Sequence, residues 1–194
     1  WDDFAVLYRT NAQSRVIEHM LREAHIPYRL VGGTRFYDRK EVKDAIAYLR
    51  FIVNPFDEVN LLRILNYPRR GIGRTTADLL IRTSVTSREP LWKVIRRART
   101  IDGVNAAAAM ALEKFVALIE EHKRWFHGGS RLAATARELF AAIGLEDELR
   151  REPDSRERVE RRIENLHEVI NALATYETRD GQPTLAGFLE KVAL

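Results

Sequence analysis

Apolar residues along the chain follow two different periods, and the change between them falls near residue 54. Short apolar runs at residues 4–9 ("FAVLYR") and 28–33 ("YRLVGG") predict two buried strands. Each run is followed by apolar residues at helical spacing, which predicts helices at residues 11–24 and 39–53. This β-α-β-α order predicts a small α/β part at the start of the chain.

After Asn54-Pro55 the strand signals disappear. The apolar spacing then predicts an all-helical part, with helices at residues 58–66, 75–84, 89–99, 103–126, 131–143, 155–177 and 184–193. The prediction is therefore a mainly α protein with two domains, residues 1–54 and residues 55–194. Because two strands alone make a poor sheet, we also expect the chain to be a fragment of a longer protein.

Polar residues at the ends of these segments predict how the helices are capped. Asn11 is the predicted N-cap of the first helix, and Asp38 with Glu41 forms a D-x-x-E capping pattern before the second. In the segment 155–177 one apolar stripe is predicted to face the core, and it consists of Val159, Ile163, Leu166, Ile170 and Leu173.

Composition limits the class of protein. The chain has 194 residues, of which 45% are hydrophobic and 31% are charged, and it contains no cysteine. It therefore has no disulfide or thiolate metal site, and this composition fits a reducing cytoplasm. No apolar run approaches transmembrane length, so no membrane partner is expected.

Positive charge is concentrated in one block of the sequence. The net charge is +4, but residues 61–100 carry ten cations and two acids, which leaves the rest of the chain mildly acidic. A basic block of this kind is typical of a polyanion site, although a solvated helical face is the commoner explanation of charge runs in general.

Motifs for catalysis are missing from the sequence. It contains no G-x-x-x-x-G-K-[ST] to hold a triphosphate and no H-E-x-x-H, and its five histidines are scattered. We therefore expect no catalytic residue, no metal ion and no cofactor in this chain.

The stretch "YPRRGIGRTTADLL" (67–80) is the strongest candidate for a binding site. Its glycines permit close backbone approach, and the start of the following helix offers N–H groups to an anion. A helix–hairpin–helix arrangement would place these groups on a phosphate without reading bases. The alternative is a tight turn with solvated arginines. The candidate residues are Arg69, Arg70, Gly71, Ile72, Gly73, Arg74, Thr75 and Thr76, with the two threonines also expected to cap the helix.

A second candidate lies where the two predicted strands end. "YRTNAQSR" and "GGTRFYDR" combine polar donors with aromatic rings, a combination that suits a single nucleic-acid strand. Ordinary helix capping, with Phe36 and Tyr37 buried in the core, explains these residues equally well.

The blocks "LYRTNAQSR", "FYDRKEVKDAIAYLR", "RGIG" and "RRIENLHEVI" closely resemble UvrD/PcrA/Rep-type superfamily 1 DNA helicases, in family order and spacing. The resemblance implies that residues 1–54 are part of the RecA-like domain 2A and residues 55–194 are most of the helical domain 2B. It also implies hinges near Asn54–Glu58 and just beyond residue 190. ATP and Mg would be bound by other segments of a 3′-to-5′ helicase of the bacterial cytoplasm and nucleoid, which acts in DNA repair.

The resemblance assigns DNA contacts to both candidate sites. The loop at Gly71, Ile72 and Gly73 would grip duplex backbone near a single-strand/duplex junction. The single-strand contacts would be Tyr8, Arg9, Asn11, Arg15, Arg35 and Phe36. The expected partners are DNA, domains 1A and 1B, and the rest of 2A. The alternative is a protein-interaction or autoinhibitory module that binds repair proteins or a second protomer and has little DNA affinity.

Overall fold

The computed structural model describes residues 4–9, 11–30, 35–127 and 131–193, and the regular secondary structure of these residues is entirely helical. Their α-helices are α1 (Asn11–Glu23), α2 (Lys40–Val53), α3 (Glu58–Ile64), α4 (Arg74–Ser87), α5 (Leu91–Arg96), α6 (Ala106–His127), α7 (Leu132–Ile143), α8 (Leu145–Arg151), α9 (Arg156–Arg179) and α10 (Leu185–Ala193). Two 3₁₀ turns, Phe36–Asp38 and Ala98–Thr100, complete the list. The prediction of a mainly α protein is confirmed.

The two predicted strands are wrong as far as the structure describes them. Residues 4–9 and 28–30 have no strand pairing, and residues 31–33 of the second segment lie outside the described residues. Leu7, predicted to be buried in a strand, is 93% exposed. A strand requires a neighbour to satisfy its N–H and C=O groups, and the described residues supply no such neighbour.

Helix positions follow the predicted periodicity, with corrections at the boundaries. The segment 89–99 divides into α5 and the turn Ala98–Thr100, and α8 was not predicted. Gly144, whose φ of +73° lies in the left-handed region, ends α7 and allows α8 to begin at once. Residues 145–151, which lay between two predicted helices, therefore form the short helix α8.

Helix capping differs from the prediction at α2. Arg39 is the N-cap and makes no side-chain cap bond, whereas Asp38 pairs with Lys43 at 2.9 Å. Glu41 instead accepts a hydrogen bond from Asn165 Nδ2 on α9 at 2.6 Å. The D-x-x-E pattern therefore does not cap α2, because Asp38 pairs with a lysine of that helix and Glu41 bonds to α9.

The hydrophobic core is built around α2. This helix packs against α3, α6, α9 and α10, and its buried Tyr48 and Phe51 lie at the centre. The Phe51 ring meets Trp92 edge-on at 4.9 Å, and Trp92 meets Phe115 at 6.0 Å. The core is thus continuous across residue 54, and a domain boundary at that residue stays a prediction.

The apolar stripe predicted for the segment 155–177 is confirmed in α9. All five of its members are buried. Ser155 caps this helix by accepting the N–H of Arg158 at 3.4 Å. Outside this stripe α9 carries charged side chains, and two of them form ion pairs with neighbouring helices. Glu168 pairs with Arg15 of α1, and Arg162 pairs with Glu41 of α2.

Candidate nucleic-acid interface

The loop that joins α3 to α4 carries the Gly-Ile-Gly sequence, and its two glycines differ in conformation. Gly71 has a φ of +79°, which favours glycine over every L-residue. Gly73 has φ −71° and ψ 165°, an extended conformation open to any residue. A Cβ built on either glycine meets no atom of the described residues within 4 Å. Both glycines therefore present open backbone on the molecular surface.

The inner side of the loop is held by side chains. Asn66 Oδ1 accepts the backbone N–H groups of Arg70 at 2.9 Å and of Ile72 at 3.2 Å. The Ile72 side chain is buried in the core. Ile72 was predicted to contact DNA, but its side chain instead anchors the loop.

Arg70 also faces inward. Its Nη1 donates to the carbonyl oxygens of Ile64 and Pro68, both at 3.0 Å, and its Nη2 donates to the Tyr48 hydroxyl. The guanidinium lies 5.0 Å from the centre of the Phe115 ring. Three of its guanidinium hydrogen bonds are thus made inside the protein, and a contact between Arg70 and a phosphate stays a prediction.

The outer side of the loop is the start of α4. Gly73 is its N-cap, so Thr75 and Thr76 lie inside the first turn and do not cap the helix as predicted. The first backbone bond of this helix joins the Ala77 N–H to Gly73 O. Within the described residues the N–H groups of Gly73, Arg74, Thr75 and Thr76 have no acceptor. These are the donors that a helix N-terminus offers to an anion.

Two arginine side chains flank these open donors. Arg69 is 89% exposed and Arg74 is 95% exposed. Their carboxylate neighbours, Glu148 and Asp78, both lie at 3.8 Å, which is a weak, solvent-screened distance for an ion pair. Both arginines are therefore available to an external anion.

The second candidate cluster is only partly assembled. Arg9 is exposed and Tyr8 is half-buried, while the side chain of Asn11 lies outside the described residues. Arg15 is buried against Glu168, with Nε donating to Oε2 at 2.8 Å. Phe36 is fully buried and touches the ring of Tyr37, which is half-buried. Phe36 is enclosed in the core and the Arg15 side chain is only 10% exposed, so neither is presented openly to DNA here, and their contacts stay predictions.

Arg35 belongs to a basic cleft that sequence reasoning missed. The cleft encloses about 280 Å³ and brings together five cations, namely Arg22, Arg35, Lys43, Arg50 and Arg63. Lys43 is balanced by Asp38 and Arg63 by Asp44, at 2.9 and 2.7 Å. The seven-residue spacing of Lys43 and Arg50, two helical turns along one face of α2, was the available signal.

A polar network ties this region to α9. Arg39 donates to Ser14 Oγ at 3.0 Å and to Asn165 Oδ1 at 2.8 Å. Glu152 accepts from Lys40 Nζ at 2.8 Å and from Arg162 Nη1 at 2.7 Å. Burial alone would raise the pKa of Glu152, but these two cations outweigh it and lower the pKa to about 2.

The described residues also bear on metal binding and on membrane insertion. Within the described residues, no group of three or more His, Cys, Asp or Glu side chains is placed to hold a metal ion. None of the described helices combines the length and apolar character that crossing a membrane needs.

A helical module with an exposed basic loop is the class of protein that this geometry describes. The model of the UvrD-like helicase C-terminal domain matches residues 1–194. The chain therefore belongs to the UvrD-like helicase C-terminal domain family, as the sequence blocks predicted.

Similar proteins include bacterial DNA helicases. The chain is 36% identical over 200 residues to the ATP-dependent DNA helicase PcrA of Bacillus subtilis, covering 99% of this chain and 25% of that protein. It is 38% identical over 194 residues to DNA helicase II of Escherichia coli, and this match covers 98% of this chain and 26% of that protein. It is 37% identical over 216 residues to the ATP-dependent DNA helicase UvrD1 of Mycobacterium tuberculosis, and this match covers 100% of this chain and 27% of that protein. The chain thus spans about a quarter of the length of these relatives.

Proposed function

We propose that the chain is the DNA-binding part of an ATP-dependent, 3′-to-5′ UvrD-like DNA helicase, and that it modulates unwinding by the parent protein. In this proposal the loop before α4 holds the backbone of duplex DNA near a junction. The observation that carries it is the combination at that loop: open N–H donors on residues 73–76, the left-handed Gly71 and the exposed Arg69 and Arg74.

Duplex binding follows from the chemistry of these groups. Backbone N–H donors and the positive end of the α4 dipole favour a phosphate oxygen, and the two arginines add Coulomb attraction. None of these groups reads a base edge, so the contact is independent of sequence. The proposed contacts are Arg69, Gly71, Gly73, Arg74, Thr75 and Thr76, with Arg70 and Ile72 supporting the loop from inside.

Single-strand binding is assigned to the basic cleft and to residues near the start of α1. Arg9 and Arg35 remain proposed contacts, and Arg22 and Arg50 are added because no described carboxylate pairs with them. Tyr8 is half-buried, lines a separate shallow pocket together with Arg9, and stays a proposed contact. Asn11, at the first position of α1, also stays a proposed contact.

ATP and Mg are assigned to the parent protein and not to this chain. The sequence has no triphosphate-binding motif, and the described residues hold no acidic cluster for a metal ion. The residues present therefore do not fit the nucleotide. In the proposal, domains 1A and 1B and the rest of 2A supply that site, and this chain alone hydrolyses no ATP.

Salt dependence of DNA binding tests the duplex contact. A labelled forked DNA is titrated with the chain by fluorescence anisotropy at several salt concentrations and with two unrelated sequences. The variant Arg69→Ala/Arg74→Ala is expected to weaken binding and to reduce the slope of log K against log salt by about 2, since each neutralised phosphate contributes about 0.9.

The matched control removes two exposed arginines from α9, Arg156 and Arg161. It makes the same change in net charge at a surface that the proposal leaves out. If this control lowers affinity and slope as much as the loop variant, binding is diffuse and the proposed loop contact is wrong. With a single-stranded probe, Arg35→Ala/Arg50→Ala is expected to weaken binding more than the control.

A protein-interaction module is the second candidate, and an exposed apolar ridge favours it. Phe56, Val59 and Leu62 project from α3 and the turn before it into solvent. Ridges of this kind commonly mark contact surfaces. Under this candidate the chain would show little DNA affinity at any salt concentration, which the same titration measures.

A further inference from the structure

The loop between α3 and α4 has almost no backbone hydrogen bonds of its own. After the Tyr67 N–H, which donates to Ile64 O, the next backbone-to-backbone donor within the described residues is Ala77. The intervening nine residues contain two glycines, the residue type that is most costly to order. Side chains must therefore fix this backbone.

Asn66 is the side chain that spans the loop. Its Oδ1 accepts from Arg70 N at 2.9 Å and from Ile72 N at 3.2 Å, so one oxygen gathers the N–H groups on either side of Gly71. These two donors turn inward, while the donors of residues 73–76 are left without acceptors in the described part of the chain. The asparagine thus separates the inward N–H groups from the outward ones.

We infer that Asn66 is a positioning residue for the phosphate contact, which it holds in its binding geometry before DNA arrives. The inference rests on the proposed function of this loop. Ordering a flexible loop during binding subtracts its entropy cost from the affinity, and a loop ordered beforehand avoids that loss. Asn66 itself carries no charge and contributes nothing to phosphate neutralisation.

The other interpretation is that Asn66 is an ordinary turn cap that contributes only to folding stability. Asn105 provides the comparison, since its Oδ1 accepts the Ala108 N–H at 2.8 Å at the start of α6. Both asparagines are exposed residues that make side-chain bonds to backbone N–H groups. Only Asn66 lies beside the proposed phosphate contact.

The experiment compares Asn66→Ala and Asn105→Ala in the 194-residue chain, at a temperature where circular dichroism shows both to be folded. Binding of forked DNA is measured across salt concentrations. Asn66→Ala is expected to bind about three- to tenfold more weakly with an unchanged salt slope, because the arginines still neutralise the same phosphates. Asn105→Ala is expected to bind within twofold of the unmodified chain.

Amide hydrogen exchange supplies an independent readout at the loop. The Arg70 and Ile72 amides are expected to be protected in the unmodified chain and to exchange faster in Asn66→Ala. Asn66→Asp keeps an acceptor oxygen at this position, so it is expected to restore that protection. If Asn66→Asp loses as much protection as Asn66→Ala, the assigned hydrogen bonds to the side-chain oxygen are contradicted.

DNA binding by these variants separates a failure of the Asn66 role from a failure of the loop contact. If the unmodified chain binds DNA and Arg69→Ala/Arg74→Ala weakens it, but Asn66→Ala binds as Asn105→Ala does, the inference alone is overturned. It is also overturned if Asn66→Ala lowers the salt slope as the arginine variant does. If the arginine variant leaves binding unchanged, the proposed loop contact falls, and the inference falls with it.

Discussion

Glu152 connects three parts of the structure, and removing its charge has a calculable effect. Its Oε1 accepts from Lys40 Nζ of α2 at 2.8 Å and from the Tyr67 hydroxyl at 3.2 Å, and its Oε2 accepts from Arg162 Nη1 of α9 at 2.7 Å. Glu152→Gln keeps the shape of this side chain but removes the charge that the two cations pair with. Arg162 would then keep only its longer contact with Glu41, at 3.4 Å.

The magnitude follows from the pKa of Glu152. Burial raises this pKa, but the bonds from Lys40 and Arg162 outweigh it and lower the value from 4.5 to about 2. Unscreened, a shift of that size corresponds to about 3 kcal/mol. Because 27% of the Glu152 side chain is exposed, solvent screens the pairs, and we expect about 1.5 kcal/mol of folding stability.

The sign of the pH dependence is fixed by the direction of the shift. A carboxyl whose pKa is lower in the folded state stabilises the protein above its unfolded pKa. For Glu152 this contribution is complete above about pH 4.5 and is lost as the pH falls towards 2. The difference between the unmodified chain and Glu152→Gln should therefore shrink with acidification.

Urea unfolding at several pH values measures this difference. At pH 7 we expect Glu152→Gln to be about 1.5 kcal/mol less stable, with the gap narrowing below pH 4.5. Glu121→Gln, at an exposed position of α6, is the matched control and should change stability by less than about 0.5 kcal/mol. A gap at pH 7 that persists undiminished near pH 3 would refute the electrostatic reasoning, as would equal effects of the two variants.

Two further predictions concern the loop and its support. Gly71→Ala should lower folding stability by about 1 kcal/mol or more, because Gly71 has a φ of +79°. Gly73→Ala should change it by less than about 0.5 kcal/mol. Equal losses of stability in urea unfolding would contradict this difference. Tyr48→Phe should cost about 1–3 kcal/mol, because the buried hydroxyl donates to Tyr67 O and accepts from Arg70. Burial raises the pKa of Tyr48 to about 12, so the hydroxyl stays protonated at pH 7 and pH 9. The loss of stability in Tyr48→Phe relative to the unmodified chain should therefore be the same at both pH values. A difference between the two losses, measured by thermal melts, would contradict the assigned hydrogen bonds.

Helices were predictable from the sequence because their signal is local. The stripe of α9 repeats every three or four residues, and the structure buries each of its members. The strands were not predictable in this way, because a strand exists only through a partner strand, which is often far away in sequence. "FAVLYR" has the composition of a strand, yet composition does not supply the neighbouring backbone.

The sequence allowed a candidate loop to be chosen, but it did not predict which way each side chain of that loop points. Glycines, arginines and a helix start pointed to the loop before α4, and its role in binding stays a proposal. The direction of each side chain depends on tertiary contacts that spacing does not reveal. Arg70 and Arg74 look equivalent in the sequence, yet one is enclosed by carbonyl oxygens and the other is exposed.

The number of cations in the sequence overstates the positive charge at the surface, because tertiary contacts pair several of them inside the protein. Of the ten cations in residues 61–100, Arg63, Lys93, Arg97 and Arg99 pair closely with carboxylates, and Arg70 is bonded internally. Two of these carboxylates, Asp44 and Glu113, come from outside the block. Five exposed arginines remain, so the chain can neutralise at most about five phosphates through this block, with a salt slope no steeper than about −4.5. With a blunt duplex, which the proposed single-strand contacts do not engage, a slope near −7, the value that a count of eight net charges implies at about −0.9 per phosphate, would show that DNA displaces these internal ion pairs.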